Sequence, residues 1–262
     1  MCYDISFSAG VELITDYFPN LAVDPQVHFD FGRYIHVQAQ AFSRYPVVLF
    51  ENGQYRLKSF EWGVIAGYMD TPEKIKTGRK WMCNAQAEKI RDDQRSFWRR
   101  IRYTRCLVPV TGIFEHREIR NWKNKVPYYI YQKGRPMFCL PGLYHYPHLA
   151  DPETGEVTGT FTVVTRSANS RMQQIHNCGD NAHRMPLFLP RDLETQWLLP
   201  DLEDHELARL LDYQLPSEAL EDWPVYTIRT SKERPDGKSK TEPFAWPSLP
   251  PLGQDSNVQE LF

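Results

Sequence analysis

The chain has 262 residues, of which 41% are hydrophobic, and its formal net charge at pH 7 is −2. That length supports one large domain or two small ones, and the apolar content is sufficient to fill a core. No apolar run approaches the length of a membrane-spanning helix, and the near-neutral charge excludes a uniformly basic protein but not a basic face.

The amino terminus reads Met1-Cys2-Tyr3-Asp4. Initiator methionine is removed ahead of a small residue, which would leave Cys2 with a free α-amine beside its thiol. An α-amine has a pKa of about 8, so roughly a tenth to a quarter of it is unprotonated near neutral pH. This amine can form a Schiff base with an aldehyde, which the thiol then closes to a five-membered thiazolidine. Most cysteines are small buried hydrophobes, so this prediction depends on supporting residues elsewhere.

The cysteines indicate a reducing compartment. They form an odd set without a CxxC pair, and acidic residues interrupt the first stretch, which is unlike a secretory signal. Their positions are Cys2, Cys83, Cys106, Cys139 and Cys178. We therefore expect free thiols and a cytoplasmic protein. Their scatter among the histidines does not match zinc-site spacing, so we expect no structural metal.

The first predicted elements are a helix and a hairpin. The helix is predicted from Ser8, its N-cap, to Phe18, before Pro19. Residues 20–44 are expected to be an irregular, packed segment. The strands 46–50 and 55–62 flank Asn52-Gly53, which is typical of a two-residue β-hairpin.

A basic helix is predicted next. It begins at Asn84, a residue type favoured at N-caps, and apolar residues recur at helical spacing as far as Ile101. Its arginines are Arg91, Arg95, Arg99, Arg100 and Arg102. A solvated helix face and a phosphate-contacting surface are equally consistent with this cluster. The nearby Trp81 and Trp98 suit the second interpretation.

The rest of the chain is rich in strands separated by turns, which is the pattern of an antiparallel meander. Strands are predicted at 106–115, 126–131, 137–144, 160–165, 184–190 and 225–228, and helices at 168–175, 194–199 and 203–211. Residues 231–262 are rich in Lys, Pro, Gly and Ser. We expect them to form a flexible tail after one domain at 1–230.

Several short blocks, taken together and in order, resemble the SOS response-associated peptidase (SRAP) family. They are Met1-Cys2, Trp62-Gly63, Asn84-Ala-Gln-Ala-Glu88, Thr111-Gly-Ile-Phe-Glu115, Val164-Thr165, Ile175-His176 and Arg184-Met-Pro186. The resemblance implies an α+β fold, a single domain with a curved, barrel-like, mainly antiparallel β-sheet flanked by helices. It also implies covalent capture of abasic sites in single-stranded DNA through the amino-terminal cysteine.

The resemblance also implies roles for the matching residues. Cys2 would be the nucleophile, Asn84 would orient it or the sugar, and Glu115 would protonate the ring oxygen and later assist dehydration. His176 would handle the deoxyribose hydroxyl or phosphate. The residues expected to contact DNA are Arg184, Trp62, Trp81, Gln86, Arg91 and Arg95.

Three features depart from the family pattern. In many members the catalytic histidine lies two residues before the Arg of the RMP block, whereas Cys178 to His183 intervene here. His183 is therefore an alternative to His176. Gln86 stands where the family often has a phosphate-binding arginine, and the start lacks the common Cys-Gly-Arg sequence.

The leading hypothesis is a sensor that forms a DNA-protein crosslink at abasic sites, shields the lesion from strand cleavage and needs no cofactor. Its Schiff base would permit some lyase activity. The alternatives are a thiol peptidase or amino-terminal-nucleophile hydrolase that uses Cys2, and a noncatalytic DNA-binding module. We expect a monomer in the cytoplasm, associated with the nucleoid when bound to DNA. The terminal Val258–Phe262 has a slight similarity to peptides that bind the sliding clamp.

Overall fold

The structure is a computed structural model that describes residues 2–27, 34–148, 150, 155–230 and 233–255. The strands are β1 (Asp4–Ser6), β2 (Ala22–Val23), β3 (Val37–Gln38), β4 (Arg44–Glu51), β5 (Gln54–Trp62), β6 (Asn84–Gln86), β7 (Arg105–Val110), β8 (Gly112–Arg117), β9 (Val126–Gln132), β10 (Phe138–His145), β11 (Thr160–Ser167), β12 (Arg184–Pro186) and β13 (Leu220–Pro224). The helices are α1 (Val11–Tyr17), α2 (Pro72–Gly78), α3 (Ala87–Arg91), α4 (Phe97–Arg100), α5 (Ser170–Ile175), α6 (Arg191–Trp197) and α7 (Asp204–Asp212). No helix in these ranges is both long and apolar enough to span a bilayer.

The larger of two sheets curves into a ring. Its strand order is β12-β11-β10-β7-β4-β5-β2, with β6 also paired to β11. A parallel contact between β11 and β5, with Phe161 opposite Trp62, joins the ends of the run from β11 to β5. The contact is short, so the ring is not a continuous barrel. The other pairs around the ring are antiparallel, which confirms the predicted α+β fold with a barrel-like sheet.

The smaller sheet holds the amino terminus in place. Its strand order is β13-β9-β8-β1-β3, so β1 lies between two partners. Asp4 lies opposite Phe114 on β8 and opposite Gln38 on β3. Since β1 and β8 are antiparallel, the residues that precede Asp4 lie beside Glu115, which follows Phe114.

The hairpin of β4 and β5 is confirmed. Asn52 and Gly53 have φ of 53° and 76°, the left-handed conformation that both positions of this two-residue turn require. Glycine adopts it without steric cost, and asparagine is among the residues that tolerate it best.

Four predicted elements differ from the structure. The first helix is capped at Gly10 and not at Ser8, and the strand predicted at 106–115 is two strands, β7 and β8, in different sheets. Asn84 does not cap a helix: it lies in β6 and pairs with Val163 on β11, because the open edge of β11 takes up its backbone hydrogen bonds. The long basic helix is two short ones, α3 and α4, the second capped by Ser96. The last strand lies at Leu220–Pro224 and not at 225–228, where Val225 makes an isolated bridge.

Residues 233–255, which belong to the segment expected to form a flexible tail, contact the domain. Trp246 Nε1 donates to the carbonyl oxygen of Val225 at 2.9 Å. The buried Arg234 donates to the carbonyl oxygens of Ser239 and Glu242 at 2.8 and 2.6 Å. Leu249 and Leu252 also pack against the hydrophobic core. The composition of the segment gave no sign of these contacts. The terminal residues 256–262, with the clamp-like segment, lie outside the described residues.

Trp62 lies inside the ring. Its side chain is 0% exposed, stacks on Phe161 with 5.8 Å between ring centroids, and donates from Nε1 to Cys83 O at 2.9 Å. A buried indole cannot stack on nucleobases, so this burial argues against the predicted contact of Trp62 with DNA. Trp81, in contrast, is 66% exposed.

Replacing Trp62 by Ala should lower the free energy of unfolding by about 3 to 5 kcal/mol, because the substitution leaves a cavity inside the ring. Trp81→Ala is the matched control and should change it by about 0.5 kcal/mol or less. Urea denaturation of both variants measures the difference, and equal effects would contradict the burial of Trp62.

Candidate active site

A cavity of about 300 Å³ lies beside β1 and β8. Two of the predicted catalytic residues, Glu115 and His176, line it together with Tyr3 and Asp4. The other lining residues are His116, Lys125, Cys178, Gly179, Asp180, Asn181 and Arg229. The fold thus brings the start of the chain, β8 and the turn after α5 to one place.

Glu115 is a buried carboxyl that makes no ion pair with a lysine or arginine among the described residues. Its side chain is 4% exposed, and its Oε1 has no hydrogen-bond partner within the part of the chain that the structure describes. Burial raises the pKa of Glu115 to about 8. The carboxyl is therefore protonated near neutral pH and can act as a general acid.

His176 faces this carboxyl. Its Nε2 lies 3.9 Å from Glu115 Oε2, and its Nδ1 lies 2.8 Å from the carbonyl oxygen of Arg184. The backbone amide of Arg184 also points at Nδ1, at the longer distance of 3.3 Å. The shorter contact to the carbonyl oxygen, which only accepts, favours a proton on Nδ1 and a lone pair on Nε2 toward Glu115. Burial lowers the pKa of His176 to about 4. An acid and a neutral base thus stand side by side at pH 7.

The geometry favours His176 over His183. His183 is exposed and does not line the cavity. It has a φ of 59°, and its backbone amide donates to His176 O at 2.7 Å. His183 therefore shapes the turn that returns the chain to β12.

Cys2 is fully buried next to the cavity. Its Sγ lies 3.9 Å from the carbonyl oxygen of Asp4. Burial raises the pKa of the Cys2 thiol well above its usual value, and the charges of Glu115 and Asp4 raise it further. The thiol is therefore protonated at neutral pH. The effect of Glu115 on the pKa of Cys2 indicates that the two side chains lie close together.

Asn84 is buried on β6 near the amino terminus. Two contacts through Ala39 connect this strand to the amino terminus. The Sγ of Cys83, the residue before Asn84, lies 3.9 Å from Ala39 O, and Ala39 N donates to Tyr3 O at 2.8 Å. Neither the nitrogen nor the oxygen of the Asn84 side-chain amide has a hydrogen-bond partner among the described residues. An unsatisfied buried polar group costs about 1 to 3 kcal/mol, so this amide is available for a polar ligand. Its orienting role remains a prediction.

Sequence reasoning missed a charged network beside the cavity. Asp4 accepts from His36 Nε2 at 2.7 Å and from Arg229 Nε at 3.1 Å, and it also pairs with Arg229 Nη2. Burial would raise the pKa of Asp4, but the hydrogen bonds from His36 and Arg229 outweigh it and lower the pKa. The one signal in the sequence was Asp4 itself, since a carboxylate so near a buried strand requires a cationic partner.

Arg184 makes internal bonds. Its two terminal nitrogens donate to the two carboxylate oxygens of Glu88 at 2.8 and 2.9 Å, and one of them also donates to Thr165 O at 2.9 Å. The bidentate pair joins the NAxxE and RMP blocks. A phosphate would have to compete with Glu88 for this guanidinium.

Carboxylates neutralise much of the predicted basic surface. Asp204 accepts from Arg99 at 3.2 Å and from Arg102 at 2.8 Å. Asp92 accepts from Arg91 at 2.8 and 2.7 Å. Arg91 is therefore a weaker candidate for DNA contact than the sequence indicated.

Three predicted DNA contacts remain accessible. The side chain of Arg95 is exposed, and Gln86 is partly exposed at the N-cap of α3. Lys80 Nζ lies 5.1 Å from the ring centroid of the exposed Trp81. An aromatic face with a nearby cation suits base stacking on single-stranded nucleic acid.

No cluster of three or more His, Cys, Asp or Glu side chains that could hold a metal ion occurs in the described ranges.

Comparison with known proteins places this geometry in context. The family model described as SOS response associated peptidase (SRAP) matches residues 11–229. The Bacillus subtilis protein named abasic site processing protein YoqW is 29% identical over 184 residues, which are 70% of this chain and 75% of that protein. Abasic site processing protein YoaM of Bacillus subtilis is 29% identical over 192 residues, 73% of this chain and 77% of its own.

Solved structures share the fold. A crystal structure of a protein from Bacteroides thetaiotaomicron superposes with a TM-score of 0.75 and 32% identity, over 92% of this chain and 97% of the other. A protein from Bordetella bronchiseptica superposes with a TM-score of 0.67 over 86% of this chain and 100% of its own. At 17% identity, this second likeness concerns the fold alone.

The buried Glu115 should make stability depend on pH. Its folded-state pKa is raised to about 8, whereas glutamate in an unfolded chain titrates at about 4.3. Between these values the folded state holds the proton that the unfolded state has lost, so stability falls as pH rises. Since glutamine cannot ionise, Glu115→Gln should gain stability relative to wild type from about pH 5 to about pH 8.

Urea denaturation at both pH values measures this gain, and Glu118→Gln, on an exposed side chain, is the surface control. A difference between Glu115→Gln and wild type that stays constant with pH would contradict the raised pKa.

Proposed function

The chain belongs to the SOS response associated peptidase (SRAP) family, and on that basis we propose that it senses abasic sites in single-stranded DNA and captures them covalently through Cys2. The names of its Bacillus relatives, which describe abasic site processing, support this proposal. The observation that carries it is the juxtaposition of Glu115 and His176, 3.9 Å apart, beside the buried Cys2.

The first step opens the sugar. The abasic deoxyribose is mainly a cyclic hemiacetal, and its ring oxygen takes a proton from Glu115 while the bond from that oxygen to C1′ breaks. His176 Nε2 accepts the proton of the C1′ hydroxyl, which becomes the aldehyde. The pKa values of about 8 for Glu115 and about 4 for His176 put both groups in the required states.

The second step joins DNA and protein. After Met1 has been removed, the α-amine of Cys2 adds to the aldehyde and forms a carbinolamine. Proton transfer from His176 back to Glu115 restores the acid, which then protonates the departing hydroxyl so that water leaves and a Schiff base remains. Asn84, with its unpartnered amide, would orient the amine or the sugar.

The third step closes the ring. The sulfur of Cys2 adds to the imine carbon, and the thiol proton moves to the nitrogen, which gives a thiazolidine. The overall change is the loss of one water molecule, without an oxidant or a cofactor. Exposed Trp81, Arg95 and Gln86 would hold the flanking nucleotides by stacking and phosphate contact.

The surroundings of Cys2 support the alternative of a thiol peptidase less well. A thiol peptidase requires a thiolate, which forms beside cations, whereas burial and two carboxylates raise the pKa of this thiol. Peptide cleavage limited to the Met1-Cys2 bond would be compatible with the proposed crosslinking. Lyase activity would follow from β-elimination at the Schiff base.

Incubation with a single-stranded oligonucleotide that contains an abasic site should give a heat-stable shifted band on a denaturing gel. Cys2→Ala should give no band, since it lacks the sulfur needed to close the ring. Cys2→Ser should give only a heat-labile adduct that borohydride traps. Intact mass establishes that Met1 is absent from the protein used.

An oligonucleotide without the lesion is the control for this gel. A serine adduct as heat-stable as the wild-type adduct would contradict the thiazolidine step. Cleavage of peptides without DNA would favour the peptidase, and a complex that only salt disrupts would favour a simple binder.

Asparagine replacements should separate the two histidines. His176→Asn removes the base beside Glu115 and should slow crosslinking by about 10²-fold or more. His183→Asn should leave the rate close to wild type, because asparagine tolerates the left-handed backbone at that position. Quenched time courses give both rates, and equal rates would exclude the proposed role of His176.

A further inference from the structure

The packed carboxyl-terminal segment reaches the strand that carries Glu115. Arg117, two residues after Glu115 on β8, is 0% exposed. Its Nε donates to Asp255 Oδ1 at 2.5 Å, and its terminal nitrogens donate to the carbonyl oxygens of Pro250 and Pro251 at 2.9 and 2.6 Å. The end of the described chain is therefore fastened to β8 by a buried guanidinium.

The same carboxylate reaches the turn that carries His176. Asn177, the next residue, donates from Nδ2 to Asp255 Oδ2 at 3.0 Å and to Glu118 O at 2.9 Å. Its Oδ1 accepts from the backbone amide of Glu118 at 2.8 Å. Asp255 thus bridges Arg117 on β8 and Asn177 on the turn, with one oxygen bonded to each.

We propose that Asp255 is a positioning residue, and that residues 246–255 form a strap that holds the Glu115 strand and the His176 turn in register. The proposal rests on the proposed function of Glu115 and His176. It assigns the carboxyl-terminal segment a part in the reaction although none of its residues lines the cavity.

Electrostatics explain why the strap holds. The Arg117 guanidinium is fully buried, and beside Asp255 its partners are the carbonyl oxygens of Pro250 and Pro251 and the hydroxyl of Tyr128, at 2.9 Å. Neutral dipoles stabilise a desolvated cation less than a carboxylate does, so loss of the charge on Asp255 leaves Arg117 undercompensated. We expect the strap to move away from β8 in that case, because water then reaches the Arg117 guanidinium and stabilises its charge.

The strap affects chemistry through the separation of Glu115 and His176. A displacement of about 1 Å in a catalytic group lowers rates by about 10²-fold in well-positioned sites. Three contacts between the turn and the end of β8 do not involve the strap. Cys178 Sγ lies 3.8 Å from His116 O, and Asn177 makes two hydrogen bonds to the backbone of Glu118, the residue after β8. Loss of the Asp255 charge should therefore let Glu115 and His176 move relative to each other, while the remaining contacts keep the turn near β8.

The test uses the full chain with Asp255→Asn, which keeps the size of the side chain and removes its charge. The matched control is Asp236→Asn, in the same segment, where Asp236 pairs with Arg234 and contacts neither Arg117 nor Asn177. Two readouts are compared: the crosslinking rate on abasic-site DNA, and the NMR titration of the His176 imidazole without DNA.

Asp255→Asn should lower the crosslinking rate by about tenfold or more. It should also move the His176 pKa upward from about 4, because water reaches the imidazole when the turn loosens. Asn177→Ala breaks the same bridge and also the two hydrogen bonds to Glu118, so it should cause at least as large a shift. Adding Asp255→Asn to Asn177→Ala should then change the titration little further. Asp236→Asn should change neither readout.

The outcomes distinguish the two proposals. An unchanged His176 titration in Asp255→Asn overturns the strap, whatever happens to the rate. If the wild-type protein forms no crosslink but Asp255→Asn still shifts the His176 titration, the proposed function is refuted and the positioning role stands. A shift in Asp236→Asn equal to that in Asp255→Asn would also overturn the strap, because it would reflect general loosening of the segment.

Discussion

The site depends on one constraint, which is that the Glu115 carboxyl is removed from water and makes no ion pair with a lysine or arginine of the described residues. Desolvation keeps this group protonated at neutral pH, and the same enclosure keeps the neighbouring His176 neutral. Two short segments maintain the enclosure: β1, which covers one side of β8, and the turn after α5. A hydrated Glu115 would ionise and could no longer donate a proton, so the packing of the smaller sheet and the acid-base chemistry are inseparable.

Other buried carboxylates in the described part of the chain show how unusual this arrangement is. Asp4 is bonded to His36 and Arg229, and its pKa is lowered. Glu194 accepts from Arg135 at 2.8 Å and from the backbone amide of Cys139 at 2.9 Å, although burial still raises its pKa to about 7. These groups are paired and support the packing of their elements. Glu115 differs from both, since one of its oxygens has no partner among the described residues, which fits its proposed role toward a ligand.

The sequence predicted what depends on local chemistry or on recognisable blocks. The Asn52-Gly53 turn follows from its own backbone preferences, and the resemblance to a family located Glu115 and His176. It did not predict that Trp62 closes the ring, because that depends on β5 meeting β11, far away in the chain. Asn84 was assigned to a helix for the same reason, since the edge of β11 that it joins is distant in sequence. Ion pairs between residues far apart in the chain, such as Asp4 and Arg229, leave no periodic pattern in the sequence and could not be predicted from it.

The central position of β1 in the smaller sheet has a consequence for biosynthesis. The amino terminus leaves the ribosome first, but β1 finds its partner β8 only after residues 112–117 have been translated. Cys2 is fully buried in the folded domain. We therefore expect an aminopeptidase to remove the initiator methionine most readily before β1 docks on β8, so that maturation of the reactive terminus competes with folding.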